Sequence, residues 1–279
     1  MKKHFYIAIA DVHGRADALR QALLASKQFV GDNPYTIVFL GDLIDRGGEE
    51  NEVLTIVKEE VEAGAILITG NHDYFLLGTA VNDPREAYIW DINDGWNTCV
   101  RMFGLVQQKL PADLQQFREW LFARGYDRWR VEMACKQTTL SWSETIKNSW
   151  QYELLNKGLP EWHSKKIYFC HAPQIDVSDY PNTSPYDLMW GDWETYSRHG
   201  EDDSLFKVPG NFLISVHGHI HKLRIDYNFP RIRMYEQGSY RAVILADSGC
   251  GCGSIGKLHP IILSETTDNK CTVSIEAIL

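Results

Sequence analysis

The chain has 279 residues, 44% of them apolar and 12% aromatic, enough to bury a sizeable core, and its formal net charge is -9. That charge argues against non-specific binding to nucleic acid or to an anionic membrane, because both need a broad cationic surface. No stretch approaches the length needed to cross a bilayer. Met1-Lys2-Lys3 imitates the start of a signal peptide, but the apolar run that follows is halted by Asp11 without a small-residue cleavage site, so a cytoplasmic protein is expected.

Residues 4–10 read as a buried strand and 17–29 as a helix, with Leu19, Ala22 and Leu23 at helical spacing and Asp17 as its cap. Residues 36–40 form a second buried strand. The next helix spans about 49–63, with Val53, Val57 and Val61 as its apolar stripe and Gly64 as its stop. Residues 65–69 are a third strand, and this βαβαβ order implies parallel strands with right-handed crossovers. Residues 74–163 are aromatic and mostly helical, and are expected to form a helical cap or insertion within a single domain spanning 1–279. All nine tryptophans lie between Trp90 and Trp193. They either shape a substrate groove or pack helices onto the core, and the second reading is favoured because Trp is usually mostly buried. Further strands are expected at 166–170, 212–216, 241–246, 260–264 and 272–278, the later ones building a second, largely antiparallel sheet. The six cysteines show no paired metal-binding spacing, and Cys250-Gly-Cys252 reads as a turn. No internal repeat, low-complexity tract or linker divides the chain.

The chemistry is concentrated where strands stop. Five expected strands end in Asp11 and His13, in Asp42, in Asn71 and His72, in His171, and in His219 and His221. In open α/β sheets, ligands bind at the carboxyl ends of the strands, where loops present side chains on a rigid base. Carboxylate and imidazole donors suit Mn, Fe or Zn, and the absence of cysteine among them weighs against a structural zinc site. Two ions about 3.5–4 Å apart need a bridging ligand, for which Asp42 is the candidate. Each block alone is weak: Asp-x-His-Gly and Gly-Asn-His-Asp are also turn formers, and His171 alone would be a satisfied semi-buried histidine. Gly218-His219-Ile220-His221 is stronger, because alternate residues of an extended segment point to one side. Their conjunction, in order, at successive strand ends, makes coincidence implausible.

Taken together, Asp11-x-His13, Gly41-Asp42-x-x-Asp45, Gly70-Asn71-His72-Asp73, His171 and Gly218-His219-x-His221 resemble the signature of the calcineurin-like metallophosphoesterase superfamily. The extension Asp45-Arg46-Gly47 is similar to the phosphoprotein phosphatase branch and its bacterial and phage relatives, and Ala246-Asp247-Ser248-Gly249 to an Asp-Thr-Gly segment found there. Trp90-x-x-Asn93-Asp94-Gly95 looks like that branch's Asn-Gly-Gly turn, with Asp94 replacing the middle glycine. The resemblance implies an α/β fold, a four-layer α-β-β-α sandwich with two mixed central sheets. It implies that Asp11, His13 and Asp42 hold one metal, and Asp42, Asn71, His171 and His219 the other. His221 matches a ligand of the wider superfamily that many phosphoprotein phosphatases lack.

The roles follow from that placement. Two divalent ions, Mn first and Fe or Zn next, would activate water for direct in-line hydrolysis. His72, beside the ligand Asn71, would protonate the leaving oxygen, and Asp45 would orient it. Arg46 offers a planar fork for phosphate, with Asn71 also contacting it, and Arg198 is the nearest arginine downstream of Met189 to Trp193, a segment similar to a loop that supplies a second arginine in related phosphatases. The basic stretch 222–241 reads as a solvated hairpin face, with a polyanion-binding lobe as the alternative. The leading functional expectation is a metal-dependent phosphatase of phosphoserine or phosphothreonine proteins. The alternative is a symmetrical diadenosine tetraphosphate hydrolase, a class that commonly has Ala in place of Asp45. A third reading, a scaffold that has lost turnover, is disfavoured because every expected ligand and the presumed acid are present.

Overall fold

In a computed structural model of the chain, residues 2–93, 95–104, 142–199, 202–220, 231–235, 241–250, 257–267 and 271–279 are described. The strand β1 (Lys3–Ile9) runs parallel to β2 (Tyr35–Phe39), with Ile7 opposite Ile37, and β2 runs parallel to β3 (Ile66–Leu67). The helices α1 (Ala16–Val30) and α2 (Glu50–Glu62) make the two crossovers. This is the βαβαβ unit that the periodicity implies. Asp17 does not cap α1. It lies in the first turn, Arg15 holds the cap position, and the Ala16 N–H is met by the Glu49 carboxylate instead.

The second sheet departs from the expectation. Its order is β4 (Glu161–His163), β5 (Ile167–Cys170), β6 (Ile214–His217), β8 (Arg241–Leu245), β7 (Arg231–Tyr235), and its central strands β5, β6 and β8 are mutually parallel. Only the edge strands β4 and β7 are antiparallel. The last two strands, β9 (Ile261–Thr266) and β10 (Val273–Ile278), leave that sheet altogether. β9 pairs antiparallel with β1, so the first sheet runs β10-β9-β1-β2-β3. A buried parallel core strand such as β1 cannot leave an edge unpaired without orphaning its N–H and C=O groups, and β9 covers that edge.

Side-chain alternation builds the layers. Phe5, Ile7 and Ile9 of β1 pack with Leu19 and Leu23 of α1 and with Val53 and Val57 of α2, whereas Tyr6 and Ala8 face Phe169 of β5, Val216 of β6 and Ile244 of β8. On the far side of the second sheet, Tyr168, Cys170, Val243 and Leu245 pack on Leu188, Tyr196 and Phe206 of the segment 185–206. Helices, sheet, sheet and helices therefore stack as four layers with two mixed sheets at the centre. Full burial of each large aliphatic side chain in such a core contributes about 1.5–3 kcal/mol relative to exposure. The aromatic region supplies α3 (Asn71–Ala80), α4 (Pro84–Ile92) and α5 (Gly95–Phe103), plus a helix at Trp150–Leu155. Trp90 and Trp142 are buried in the first core, as the packing reading anticipates, while Trp150 is partly exposed.

Candidate metal centre

Because β1, β2 and β3 are parallel to one another, as are β5, β6 and β8, their carboxyl ends each deliver a chain segment to one side. Asp11 follows β1, Asp42 follows β2, Asn71 follows β3, His171 follows β5, His219 follows β6 and Asp247 follows β8. The turns are sharp. Asp11, His13, Asp42, Asp45, Arg46 and His219 all have positive φ, between 46° and 72°. Non-glycine residues held in that region cost of order 1–3 kcal/mol each, and persist where the surroundings over-determine them. The loops also need glycine where they touch: a Cβ on Gly70 would lie 2.3 Å from the backbone nitrogen of Asp42.

One group of donors converges tightly. Asn71 Oδ1 lies 3.0 Å from His171 Nε2 and 3.0 Å from His219 Nδ1, and His171 Nε2 lies 3.4 Å from Asp42 Oδ1. The His171 Nδ1–H donates to the Leu40 carbonyl at 2.6 Å, so in the neutral ring the Nε2 lone pair is what faces the two oxygens. Electron-pair donors turned on one another in this way match the donor set of a divalent cation, and a carbonyl anchoring the far ring nitrogen is the usual support of a ligating histidine. A second group lies across Asp42. His13 Nε2 is 3.6 Å from Asp42 Oδ2, while the His13 Nδ1–H donates to the Ile44 carbonyl at 3.0 Å. His13, Asp42 and His72 offer atoms within 4.8 Å of one another, as do Asp42, His171 and His219, so the two oxygens of Asp42 face two clusters. Asp11 ties the sheets together, its carboxylate accepting the His219 backbone N–H at 3.0 and 3.2 Å. The residues present fit a pair of divalent ions.

His72 is held differently from the other imidazoles. Its Nδ1–H donates to Asp45 Oδ2 at 2.5 Å, and its Nε2 lies 3.1 Å from Arg46 Nη2, while Arg46 Nη1 lies 3.0 Å from His13 Nε2. Guanidinium and both ring nitrogens thus face one space. Burial alone would lower the pKa of His72, but the carboxylates of Asp42 and Asp45 outweigh it and raise it. Burial holds His13 well below the usual imidazole range and brings His219 down to about 3. Both rings therefore stay neutral and able to offer a lone pair. Burial, reinforced by Asp247 and Asp42, pushes the Asp11 carboxyl up, whereas for Asp42 the penalty of burial is outweighed by the surrounding imidazoles and the pKa falls.

Arg198 is not brought to this cluster. It projects from the helix Trp193–Arg198 with its guanidinium on Glu194, a solvent-exposed pair four residues apart. A short polar helix beyond Trp193 turns it outward, which the likeness of Met189 to Trp193 to an arginine-bearing loop does not reveal. His221 lies outside the described residues, as do Cys252 and most of the basic stretch 222–241. Three residues with no role assigned from sequence matter here. The Asp73 carboxylate accepts the backbone N–H groups of Gly70, Asp42 and Leu43 at 2.9 to 3.1 Å, and Trp90 and Thr98 both donate to Asp45. Asp73 is in the Gly-Asn-His-Asp block itself, and Trp90 opens the turn-like segment before Gly95, so both had a local signal.

The calcineurin-like phosphoesterase family profile matches residues 6–223. The chain belongs to that family. Members of that family are metallophosphoesterases, hydrolases that use a binuclear metal centre, and the histidine and aspartate groups that converge on Asp42 are where such a centre would sit. Over 79 residues it is 38% identical to a symmetrical bis(5'-nucleosyl)-tetraphosphatase of Xylella fastidiosa, a match covering 28% of this chain and 26% of that enzyme. The chain thus aligns with only about a quarter of the length of that curated relative. A solved structure described as a putative diadenosine tetraphosphatase superposes with a TM-score of 0.52 at 16% identity, covering 98% of this chain and 94% of that one, which supports the fold. A serine/threonine phosphatase from Saccharomyces cerevisiae is also similar, with a TM-score of 0.47 at 12% identity over 99% of this chain and 80% of that one. No helix among the described residues is long and apolar enough to cross a membrane.

Proposed function

We propose that this metallophosphoesterase is a single-domain hydrolase of phosphomonoesters, acting on phosphoserine or phosphothreonine in proteins. The observation that carries the reading is the His72–Asp45 pair at 2.5 Å with the Arg46 guanidinium beside it, since one site then offers a proton donor and a phosphate fork. Asp11, His13 and Asp42 would hold one ion, and Asp42, Asn71, His171 and His219 the other. Bound there, the ions, Mn foremost, would lower the pKa of a water and neutralise phosphoryl charge.

The chain's own residues supply the rest. Arg46 binds two phosphate oxygens in a planar fork and thereby orients the ester for in-line attack, with the Asn71 amide adding a contact. His72, its Nδ1–H fixed on Asp45, directs Nε2 toward the leaving oxygen and protonates it as the ester bond breaks. Asp45 holds the ring's tautomer and stabilises its protonated form, as a carboxylate does for a catalytic imidazole.

A second reading is favoured by a specific observation. The 38% identity over 79 residues is to a symmetrical bis(5'-nucleosyl)-tetraphosphatase, so a dinucleoside polyphosphate is the competing substrate. A side-by-side comparison of phosphopeptides, an aryl phosphate and diadenosine tetraphosphate, with Mn and with chelator, decides between them. Faster metal-dependent turnover of phosphopeptides is expected. A strong preference for the dinucleotide would overturn the phosphoprotein assignment, and activity surviving complete metal removal would overturn the two-metal site.

A further inference from the structure

We propose that Trp90 and Thr98, contributed by α4 and α5, are positioning residues that lock the Asp45 carboxylate in the orientation that aligns His72; the proposal rests on the reading of His72 as proton donor. Asp45 is fully buried, and its backbone sits at φ 72°, so neither solvent nor intrinsic backbone preference fixes its side chain. A carboxylate has two oxygens to satisfy, and here both are shared out. Oδ2 accepts His72 Nδ1–H at 2.5 Å and the Trp90 indole N–H at 3.0 Å. Oδ1 accepts the same indole N–H at 3.0 Å and the Thr98 hydroxyl.

The direction of the Thr98 bond is itself determined. Arg101 Nη2 donates to Thr98 Oγ1 at 3.1 Å, occupying a hydroxyl lone pair and turning its hydrogen toward Asp45. Arg101 Nε in turn lies 3.1 Å from both carboxylate oxygens of Glu50, a buried residue that opens α2 five positions after Asp45. The chain of contacts runs from α2 through α5 to Asp45 and ends at the imidazole. Networks of this kind in a low-dielectric interior rigidify what they hold.

The consequence concerns one step of the reaction. If Asp45 can rotate, His72 loses the partner that aims its Nε2, and the step that suffers is proton delivery to the leaving oxygen. A weakly basic leaving oxygen scarcely needs that proton, and a strongly basic one does. A clamp that merely makes burial of Asp45 tolerable would reduce the folded fraction and lower both rates equally.

The test uses full-length enzyme with saturating Mn, comparing kcat and KM for nitrophenyl phosphate, a weakly basic leaving group, with those for unsubstituted phenyl phosphate. Thr98→Val removes the hydroxyl, and Trp90→Phe removes only the indole N–H while keeping an aromatic ring in the core, should the first variant fail to fold. Expected is a loss of kcat about tenfold greater on phenyl phosphate than on nitrophenyl phosphate, with KM and metal content unchanged and with Thr98→Ser restoring the wild-type ratio. Equal losses on the two esters, or no loss, would overturn the clamp. His72→Asn on the same pair separates the two levels. If it too shows no dependence on leaving group, the proton-donor reading falls with the clamp; if it shows a strong one while the clamp variants show none, the clamp alone is wrong.

Discussion

Histidines of this site differ by what occupies their second nitrogen. His13 and His171 donate Nδ1–H to backbone carbonyls, rigid neutral acceptors that leave Nε2 as a ligand atom, whereas His72 donates to the Asp45 carboxylate, which favours the protonated ring. On the proposed reading, the division between ligand and proton donor is set by hydrogen bonds one step away from the atoms that would react. His72→Asn is expected to lower kcat on an aryl phosphate by about 10²–10⁴ with metal content intact, the range of general acid catalysis. Elemental analysis beside kinetics checks this, and loss of metal from the variant would make His72 a ligand instead. The sequence set His72 beside Asn71 and suggested Asp45 as its partner. It did not disclose that Asp45 is shared with Trp90 and Thr98, because those residues lie 45 and 53 positions further on and reach Asp45 only through the packing of α4 and α5.

At the scale of elements, α3 is the piece that brings Asn71 and His72 to the cluster, and its start is tied down by Asp73. One carboxylate accepts N–H groups from Gly70 on its own turn and from Asp42 and Leu43 on the neighbouring turn, all in a buried setting. Burial, with Asp42 beside it, pushes the Asp73 pKa up to about 7, so these count as ordinary buried hydrogen bonds, and leaving a buried N–H without its acceptor costs about 1–3 kcal/mol. Asp73→Asn replaces one acceptor oxygen by a donor facing an N–H, and is expected to cost about 2 kcal/mol, which in a chain of this size lowers Tm by roughly 4–8 °C. Thermal unfolding followed by circular dichroism would show it, and an unchanged Tm would mean that the two turns are held by other contacts. Helix and strand periods were legible at this scale: Leu19, Leu23, Val53 and Val57 are buried where their spacing placed them. The strand partners of β9 and β10 were not, because alternation says which face of a strand is buried and is silent about which edge it joins.

For the whole molecule, the decisive fact is that the donors belong to both sheets. Asp11, Asp42 and Asn71 come from the first, His171 and His219 from the second, and the inner core of Tyr6, Ala8, Phe169 and Val216 presses the two together. On the proposed ligand set, metal binding would be linked to the packing of the whole sandwich, since an ion held by ligands from both sheets binds the folded state in preference to the unfolded one. Mn at a hundredfold excess over its Kd is expected to stabilise the protein by about 2.7 kcal/mol and chelation to remove that gain. A Tm indifferent to both would show that the two sheets do not share an ion. What the sequence determined by itself was the order of the candidate ligand residues at strand ends and the two crossovers of the first sheet, both of which depend on local period and on the residues that stop a strand. Only the tertiary structure decided that β9 closes the edge of β1, that Arg198 faces solvent, and that Trp90 and Thr98 hold Asp45, because each of these is a contact between segments far apart in the chain, and local propensity carries no information about distance in space.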